Sequence, residues 1–365
     1  MDEISKTDIA NKLDKSDKID IKSYNLKELK ALLESRGEKA FRANQIYDWL
    51  HKKCVCDPDL MLNISKDLKN FLKNECIIDN AKELELQESK LDGTRKYLFA
   101  LSDGNVVESV LMKYHHGNSV CISSQVGCRM GCKFCASTLD GLVRNLTPSE
   151  MLDQIYKISQ SIGERISNVV VMGTGEPMDN FDNLVKFIEL LTDENGLNIS
   201  QRNITVSTCG IVPKIKELAD KKLQITLALS LHGATDEKRQ ALMPIAQKYS
   251  LKEVMEACDY YYDKTGRRMT FEYSLVGEVN DTDEDLNALC TLCGGKNVHI
   301  NLIPVNPIKE RTYVQSNKQR IQSFKNKLEK NAINVTIRRE MGRDIDGACG
   351  QLRRRYIRQE NVVSD

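Results

Sequence analysis

The sequence lacks a long apolar run, an internal repeat and an excess of either charge, and each absence excludes a class of protein. No segment of its 365 residues approaches the roughly 20 apolar side chains that a membrane-spanning helix needs. Residues 1–20 alternate charges and contain no apolar stretch of the kind found in a signal peptide. We therefore expect a cytoplasmic protein whose thiols stay reduced.

The charge balance is almost neutral. The 53 basic and 52 acidic side chains leave a net charge of +1, so the total charge does not point to a nucleic-acid partner. A local basic patch could still bind one. Because no low-complexity tract or linker rich in proline or glycine divides the chain, domain boundaries must come from changes in hydrophobic period.

Three regions are expected before the main domain. Residues 1–20 are dense in charge, which favours a disordered or frayed N-terminus. Residues 21–80 repeat leucines at helical spacing, which predicts a helical accessory domain. Residues 81–118 have a period of two between the turn signals "DGT" and "DGN", which predicts an antiparallel β extension.

The longest region, residues 119–352, alternates strand and helix patterns. Its apolar strand candidates are "SVCISSQ" and residues 168–172, 203–207, 224–230, 269–275 and 298–303. About six βα units predict an α/β fold, with a parallel sheet closed or partly closed into a (βα)6 TIM-like barrel. A doubly wound open sheet is the alternative. Residues 353–365 form a basic C-terminal tail in this interpretation.

Twelve cysteines in a reducing compartment favour metal binding or catalysis over a disulfide framework. Cys128, Cys132 and Cys135 fall within eight residues, in "SSQVGCRMGCKFCAS". This spacing is typical of iron–sulfur loops, and three protein ligands on a four-iron cluster leave one iron open for substrate or cofactor. The alternative is a structural zinc site that recruits Cys121 or a distant thiol.

Two motifs carry a resemblance to a known superfamily. The C-x3-C-x2-C pattern with an aromatic residue before its last cysteine resembles the radical S-adenosylmethionine (SAM) superfamily. The segment "VVVMGTGEPMDN" resembles the Gly-Gly-Glu segment of the same superfamily, which binds the methionine part of SAM. The two motifs follow the first and second strand candidates, which makes the pair more specific than either motif alone.

Further segments resemble the RlmN/Cfr family of RNA methyltransferases, over roughly residues 24–355. They are "GEKAFRANQIYDWL", "GLVRNL", "NITVSTCGIVPKI", "SLHGATDEKRQALMPI", "HINLIPVNP" and "VTIRREMGRDIDGACGQL". Cfr proteins tend to have Ala after the SAM-binding Glu and Arg in the "NLIP" segment, whereas this chain has Pro177 and Pro304. Both differences favour the RlmN branch.

The resemblance implies an enzyme that methylates carbon 2 of adenosine in 23S rRNA, near the peptidyl transferase centre, and in tRNA, 3' of the anticodon. It implies a 4Fe-4S cluster, two SAM molecules per turnover and an electron donor such as flavodoxin or ferredoxin. We expect a monomer without membrane partners. A Cfr-type carbon-8 methyltransferase that confers antibiotic resistance is one alternative, and a zinc-stabilised RNA-binding module is another.

The resemblance assigns the cluster ligands and the SAM contacts residue by residue. Cys128, Cys132 and Cys135 would hold the metal. The expected SAM-binding positions are Gly175, Glu176, Ser207, Ser230, Leu231, His232 and Asn306. Polar residues among them follow apolar strand candidates, which is where barrel strands deliver functional groups. Cys209 departs from relatives that often have Ser, a small change that casts little doubt on function.

Three catalytic roles are also implied by the resemblance. Cys349 in "DGACGQL" would become an S-methylcysteine and then join RNA through a thioether. Cys121 would resolve this adduct by a transient disulfide with Cys349, and Glu108 would accept a proton. The residues alone leave alternatives: Cys349 as core packing, Cys121 as a buried structural thiol and Glu108 as a solvent-facing strand charge.

The target base must be unstacked or single-stranded to reach the cluster, and phosphates would supply most of the affinity. The helical accessory domain is expected to read RNA shape. Candidate phosphate contacts are basic residues in three segments: Lys39, Arg42, Lys52 and Lys53; Arg338, Arg339 and Arg343; Arg353, Arg354, Arg355 and Arg358. The last group fits a solvated tail equally well.

Cys290 and Cys293 look like a metal pair but lie on a helical pattern, which favours helix packing.

Overall fold

A computed structural model describes residues 18–306, 312–345 and 350–364, without the side chains of residues 360–364. It has two compact units. One comprises the described residues up to Asn80 together with Glu189–Asn198, and the other comprises Ala81–Ile188 with the described residues from Ile199 onward. No helix within these ranges is long and apolar enough to cross a membrane.

The first unit is mainly helical. Its helices are α1 (Leu26–Ser35), α2 (Phe41–Tyr47) and α3 (Lys66–Glu75). Asn25 and Glu28 form a capping box that satisfies free backbone N–H groups at the start of α1. Leu29 and Leu33 of that helix are buried, as the leucine spacing predicts.

A short parallel strand pair in this unit departs from the expectation of a frayed segment up to residue 20. Strand β1 (Ile19–Asp20) pairs with β2 (Cys76–Ile77). Burial of Ile21, directly after β1, explains why the chain is ordered there despite its charges. Residues 1–17 lie outside the described part.

The second unit is built on one ten-stranded sheet, in the order β14-β13-β12-β11-β10-β9-β6-β5-β4-β3. The predicted extension supplies three antiparallel strands: β3 (Ala81–Glu88), β4 (Arg95–Leu101) and β5 (Val106–Tyr114). The parallel strands are β6 (Gly117–Cys121), β9 (Ile166–Val171), β10 (Ile204–Thr208), β11 (Thr226–Ser230), β12 (Met269–Leu275), β13 (Val298–Pro304) and β14 (Asn334–Ile337). A separate ribbon joins β7 (Gln125–Gly127) to β8 (Leu142–Asn145).

Helices connect the parallel strands, as the alternating pattern predicts. They are α4 (Pro148–Ile162), α5 (Phe181–Thr192), α6 (Val212–Asp220), α7 (Asp236–Leu242), α8 (Leu251–Thr265), α9 (Asp283–Cys293) and α10 (Lys318–Lys330). Thr147 and Glu150 form a capping box at the start of α4, and Met151 and Ile155 bury the inner face of this helix. The α/β class, the partial barrel architecture and the β extension are confirmed.

Two details differ from the sequence interpretation. Strand β14 is an additional parallel strand, so the sheet exceeds six units. Within the described ranges, β14 and β3 occupy opposite edges of the sheet, as a partly closed barrel requires. Residues 353–364 belong to helix α11 (Gln351–Ser364) and not to a tail.

Cys290 and Cys293 lie on α9, with Cys293 buried, in agreement with helix packing.

The start of α11 is held by β5. The buried Arg353 donates from its backbone N–H to Glu108 and from Nε to the Val106 carbonyl at 3.0 Å. Leu352 packs fully buried against Leu98 and Val106. These contacts explain why so basic a segment is ordered.

Candidate active site

The carboxyl ends of the parallel strands surround a cavity of about 270 Å³. The cysteine loop forms one wall, and loops after β9, β10, β11 and β13 form others. Most of the predicted site residues line this cavity: Cys128, Cys132, Cys135, Gly175, Glu176, Ser207, Ser230, His232 and Asn306. The predicted cluster ligands and SAM-binding residues, which span the sequence from Cys128 to Asn306, therefore meet in one place.

The three cysteines form an electrostatically connected set. Burial raises the pKa of Cys128 to about 12, and the neighbouring Cys135 and Glu176 contribute to the increase. Burial also raises the pKa of Cys132, where Cys135 and Cys128 add to the effect. Metal binding requires thiolates, so it would displace protons from these thiols.

The donor atoms of the cysteine loop bear on the kind of metal group that the site could hold. Among the described residues, no three or more His, Cys, Asp or Glu side chains are close enough to hold one metal ion. Cys128, Cys132 and Cys135 all line one cavity, and three thiols are a donor set that fits an iron–sulfur cluster with three protein ligands.

The cysteine loop depends on glycine at its entrance. Gly127 has φ +77, and a Cβ there would lie 2.0 Å from the Gly141 carbonyl oxygen, which accepts the N–H of Cys128 at 2.8 Å. Gly141 has a similar φ of +70, but a Cβ added there would have no described atom within 4 Å beyond its chain neighbours. The two glycines thus differ in available space and not in backbone conformation.

We expect Gly127→Ala to lower the free energy of unfolding by about 3 to 5 kcal/mol, because left-handed strain and the steric clash add together. Gly141→Ala introduces the backbone strain without the clash and should lower the free energy of unfolding by about 1 to 2 kcal/mol. Urea unfolding of both variants measures the difference. Equal losses would contradict the close approach of the two segments.

Glu176 is buried at the turn after β9 and is held by backbone amides. Its Oε2 accepts from the N–H of Cys209 at 2.7 Å, and its Oε1 accepts from the N–H of Met178 at 3.1 Å. Burial raises the pKa of this carboxyl, while the amide contacts oppose the shift. The preceding Gly175 has φ +113, and a Cβ there would lie 2.6 Å from the Cβ of Gln125, so this turn requires glycine.

His232 presents a defined tautomer to the cavity. Its Nδ1 accepts the Ser274 N–H at 2.9 Å, which leaves Nε2 as the donor. Burial lowers the pKa of His232 to about 3, with a smaller contribution from Arg239, so the ring is neutral near pH 7. Phe134 packs edge-on against the ring at 4.8 Å between centroids.

The other strand ends supply small polar groups. Ser207 and Ser230 lie side by side on β10 and β11, with 3.3 Å between their hydroxyls. Leu231 is fully buried and does not line the cavity; its N–H donates to the Glu272 carbonyl at 3.0 Å. Its expected contribution is through the backbone alone.

Glu108 is buried, so the strand pattern was wrong in favouring a solvent-facing charge. Only 4% of Glu108 is exposed, and its Oε2 lies 3.1 Å from Nζ of the fully buried Lys96. The same oxygen accepts the Gly350 N–H at 2.7 Å, and Oε1 accepts the Arg353 N–H. The carboxylate therefore holds the beginning of α11.

Cys121 ends strand β6 and is buried. It pairs with Val110 in the antiparallel register, and Glu108 lies two residues before Val110 on β5. Because side chains alternate along a strand, Cys121 and Glu108 project from the same face of the sheet. Neither lines the cavity.

Cys349 lies outside the described residues, but a Cβ added at the next residue, Gly350, would lie 3.1 Å from the N and Oγ of the cavity residue Ser137.

Two charged cavity residues were not assigned to the site from the sequence. Glu272 on β12 is buried and accepts from Asn301 Nδ2 at 2.9 Å. Burial raises the pKa of Glu272, and Arg338, which also lines the cavity, opposes that shift. An acidic residue inside the apolar strand "MTFEYSL" is the signal that could have identified Glu272. Arg338 was expected to contact phosphate.

The remaining basic candidates divide by exposure. Lys39, Lys52, Lys53, Arg339, Arg343, Arg355 and Arg358 are exposed. Some already have partners: Lys53 with Asp48, and Arg343 with Glu340. Arg353 is buried and cannot serve as a phosphate contact.

The cavity as a whole offers thiols, neutral hydrogen-bond donors and two buried carboxylates, a set suited to a metal cluster beside a polar cofactor.

Two family models match the chain. Residues 122–292 match the radical SAM superfamily, and residues 19–78 match the ribosomal RNA large subunit methyltransferase N-terminal domain. The second match falls within the first unit, and the first match falls on the second unit apart from Glu189–Asn198, which belong to the first unit.

Relatives cover nearly the whole chain. A probable dual-specificity RNA methyltransferase RlmN of Lachnospira eligens is 67% identical over 93% of this chain and 97% of its own length. A protein of the same name from Lachnoclostridium phytofermentans is 64% identical over 93% and 96%. The crystal structure of a radical SAM methyltransferase from Sphaerobacter thermophilus matches with a TM-score of 0.88 and 38% identity, over 91% of this chain and 98% of that one.

Proposed function

The chain belongs to the RlmN family of radical SAM RNA methyltransferases, and from this premise we propose that it methylates carbon 2 of adenosine in 23S rRNA and in tRNA. The observation that carries the proposal is the convergence of Cys128, Cys132 and Cys135 with the strand-end residues on one cavity. Pro177 and Pro304 favour carbon 2 over carbon 8, since the carbon-8 relatives tend to differ at both positions.

The three cysteines are the proposed ligands of a 4Fe-4S cluster with one open iron. When bound, the cluster and SAM would supply a radical that removes a hydrogen atom from a methyl group carried by Cys349, so that the remaining methylene can add to an adenine carbon that has no lone pair for ordinary methyl transfer. The chain provides the surroundings: Glu176 has its carboxylate fixed by two backbone amides, and His232 has Nε2 available as a donor. Such fixed groups orient a cofactor without reorganisation.

A second set of residues is proposed to handle the methyl group. Cys349 would accept a methyl at Sγ and later form a thioether with the RNA, and Cys121 would release the product by forming a disulfide with Cys349. Glu108 would accept a proton. The bond from Glu108 to the Gly350 N–H supports this grouping, because it joins the proposed base to the residue next to Cys349 in sequence.

Substrate RNA is proposed to bind through phosphates and to present one unstacked base. Arg338 is both exposed and part of the cavity wall, which suits a contact at the entrance. The match of residues 19–78 to a ribosomal RNA methyltransferase domain supports a role in RNA recognition for the first unit.

Anaerobic turnover followed by nucleoside mass spectrometry tests the activity. Reduced, reconstituted protein is incubated with a 23S rRNA fragment or with tRNA, and the digested nucleosides are separated. We expect 2-methyladenosine from both RNAs. Sole production of 8-methyladenosine would identify a Cfr-type enzyme, and methylation of one RNA only would refute dual specificity.

A further inference from the structure

A buried guanidinium lies beneath the cysteine loop. Arg239 on α7 has no exposed surface and is among the largest fully buried side chains of the described residues. Its Nη2 donates to the Cys209 carbonyl, whereas Nε and Nη1 have no hydrogen-bond partner in the described part of the chain. A buried charge satisfied at one nitrogen is costly, and such a group calls for an explanation.

The backbone clears space for this side chain. A Cβ at Gly210 would lie 2.9 Å from Nη2 of Arg239, and a Cβ at Gly233 would lie 2.7 Å from its backbone nitrogen. Gly210 also has φ +101, which favours glycine. Gly210 therefore leaves room for the buried guanidinium, and Gly233 leaves room for the backbone of the helix that carries it.

The cysteine loop and α7 pack directly together. The Lys133 N–H donates to the Leu242 carbonyl at 2.9 Å, and Cys132 forms a buried cluster with Cys209, Leu242 and Met243. Arg239 is bonded to Cys209, one member of this cluster, and precedes two others on the same segment. The cation is thus placed behind Cys132.

The electrostatic surroundings of Arg239 are mainly thiols. Burial lowers the pKa of Arg239, and the groups that oppose this shift are, in order, the thiols of Cys209, Cys132 and Cys258, followed by Asp236. A guanidinium keeps its proton at any pH at which proteins are stable. Its positive charge therefore acts on whatever negative charge collects at the cysteine loop.

We propose that Arg239 is a positioning residue for the cluster, whose buried charge favours the reduced, more negative state of the iron–sulfur centre. The inference rests on the proposed function, since it needs a cluster on Cys128, Cys132 and Cys135. Net charge and hydrogen bonds around the sulfurs set the potentials of such clusters. One-electron reduction adds a negative charge, and a nearby cation in a site screened from water stabilises it.

A redox titration with dithionite, followed by electron paramagnetic resonance and without RNA or SAM, tests the inference. Arg239→Gln removes the charge but keeps a hydrogen-bond donor for Cys209. We expect its reduction equilibrium constant to fall about tenfold, which for one electron is about 59 mV toward more negative potential. Arg239→Lys keeps the charge and should remain within about twofold of the unaltered protein.

The control is Arg267→Gln. Arg267 also donates to a backbone carbonyl, that of Ile225, and to the hydroxyl of Thr226, which begins β11. It therefore lies at the opposite end of this strand from Ser230, which lines the cavity. Its variant should leave the potential unchanged. An unchanged potential in Arg239→Gln, or an equal shift in Arg239→Lys and Arg239→Gln, would overturn the proposal.

Folding and the proposed function are checked separately. Iron content and circular dichroism establish that each variant is loaded and folded. If Arg239→Gln does not fold, Arg239→Lys decides. A reduction equilibrium constant within about twofold of that of the unaltered protein supports the charge effect, and a change of tenfold or more overturns it. Absence of a cluster in the unaltered protein would refute the proposed function itself. A cluster that is present but whose reduction potential does not change in Arg239→Gln would refute only the role of Arg239.

Discussion

Cys132→Ala should retain less than about one iron per chain after anaerobic reconstitution, against about four in the unaltered protein. Both of the other thiols of the set act electrostatically on Cys132. A cluster that loses one of three protein ligands has too few bonds to stay in place. Methylation should fall below detection, because the remaining residues supply no radical.

Cys258→Ala is the matched control for this experiment. Cys258 is also buried, but it lies on α8 and does not line the cavity. Iron and sulfide assays, together with the visible absorbance of the reconstituted proteins, compare the two variants. Full iron content and activity in Cys132→Ala would refute its role as a ligand, and stoichiometric zinc in place of iron would revive the single-ion alternative.

Glu108→Gln should lower methylation by at least about 100-fold, a loss typical of removing a general base. It should also lower the free energy of unfolding, because Lys96 would remain buried without its counter-charge, a change that costs about 3 to 5 kcal/mol when a buried pair is broken. Both groups of the pair are almost completely buried, at 4% and 0% exposure. Rate assays and urea unfolding measure the two losses independently.

The double variant Lys96→Met with Glu108→Gln separates catalysis from folding. Removing both charges takes away the uncompensated ammonium, so most of the stability should return. Methylation should not return, since no carboxylate is restored. Recovery of both properties together would show that Glu108 serves only to hold α11.

The fold could largely be anticipated because its strands are apolar and regularly spaced. β12 begins and ends where the apolar run does, at Met269 and Leu275. β14 was not predicted: its four residues form a short pattern at a sheet edge, with only Val335 buried, too little to stand out. Helix α11 was read as a tail because its arginines dominate the composition, whereas the bonds of Arg353 to β5 order it.

The site was predictable only where a residue type is unusual for its place. Strand-end residues such as Ser207 and Ser230 follow apolar runs and were found on the cavity wall. Arg239 lies in the charged run "DEKRQ", which resembles a solvated helix face, so nothing local indicates its burial. Glu108 is similar, because its partners are 12 residues before it on β4 and far downstream on α11.

The hydrogen bond between Glu108 and Gly350 also sets an order of events during synthesis. The two residues are 242 positions apart, so β5 leaves the ribosome long before its partner exists. Contacts of such separation form late, because the intervening chain must first become ordered. A growing chain already contains the three cysteines but lacks the segment that Glu108 holds, so the contact between β5 and the start of α11 is among the last to form.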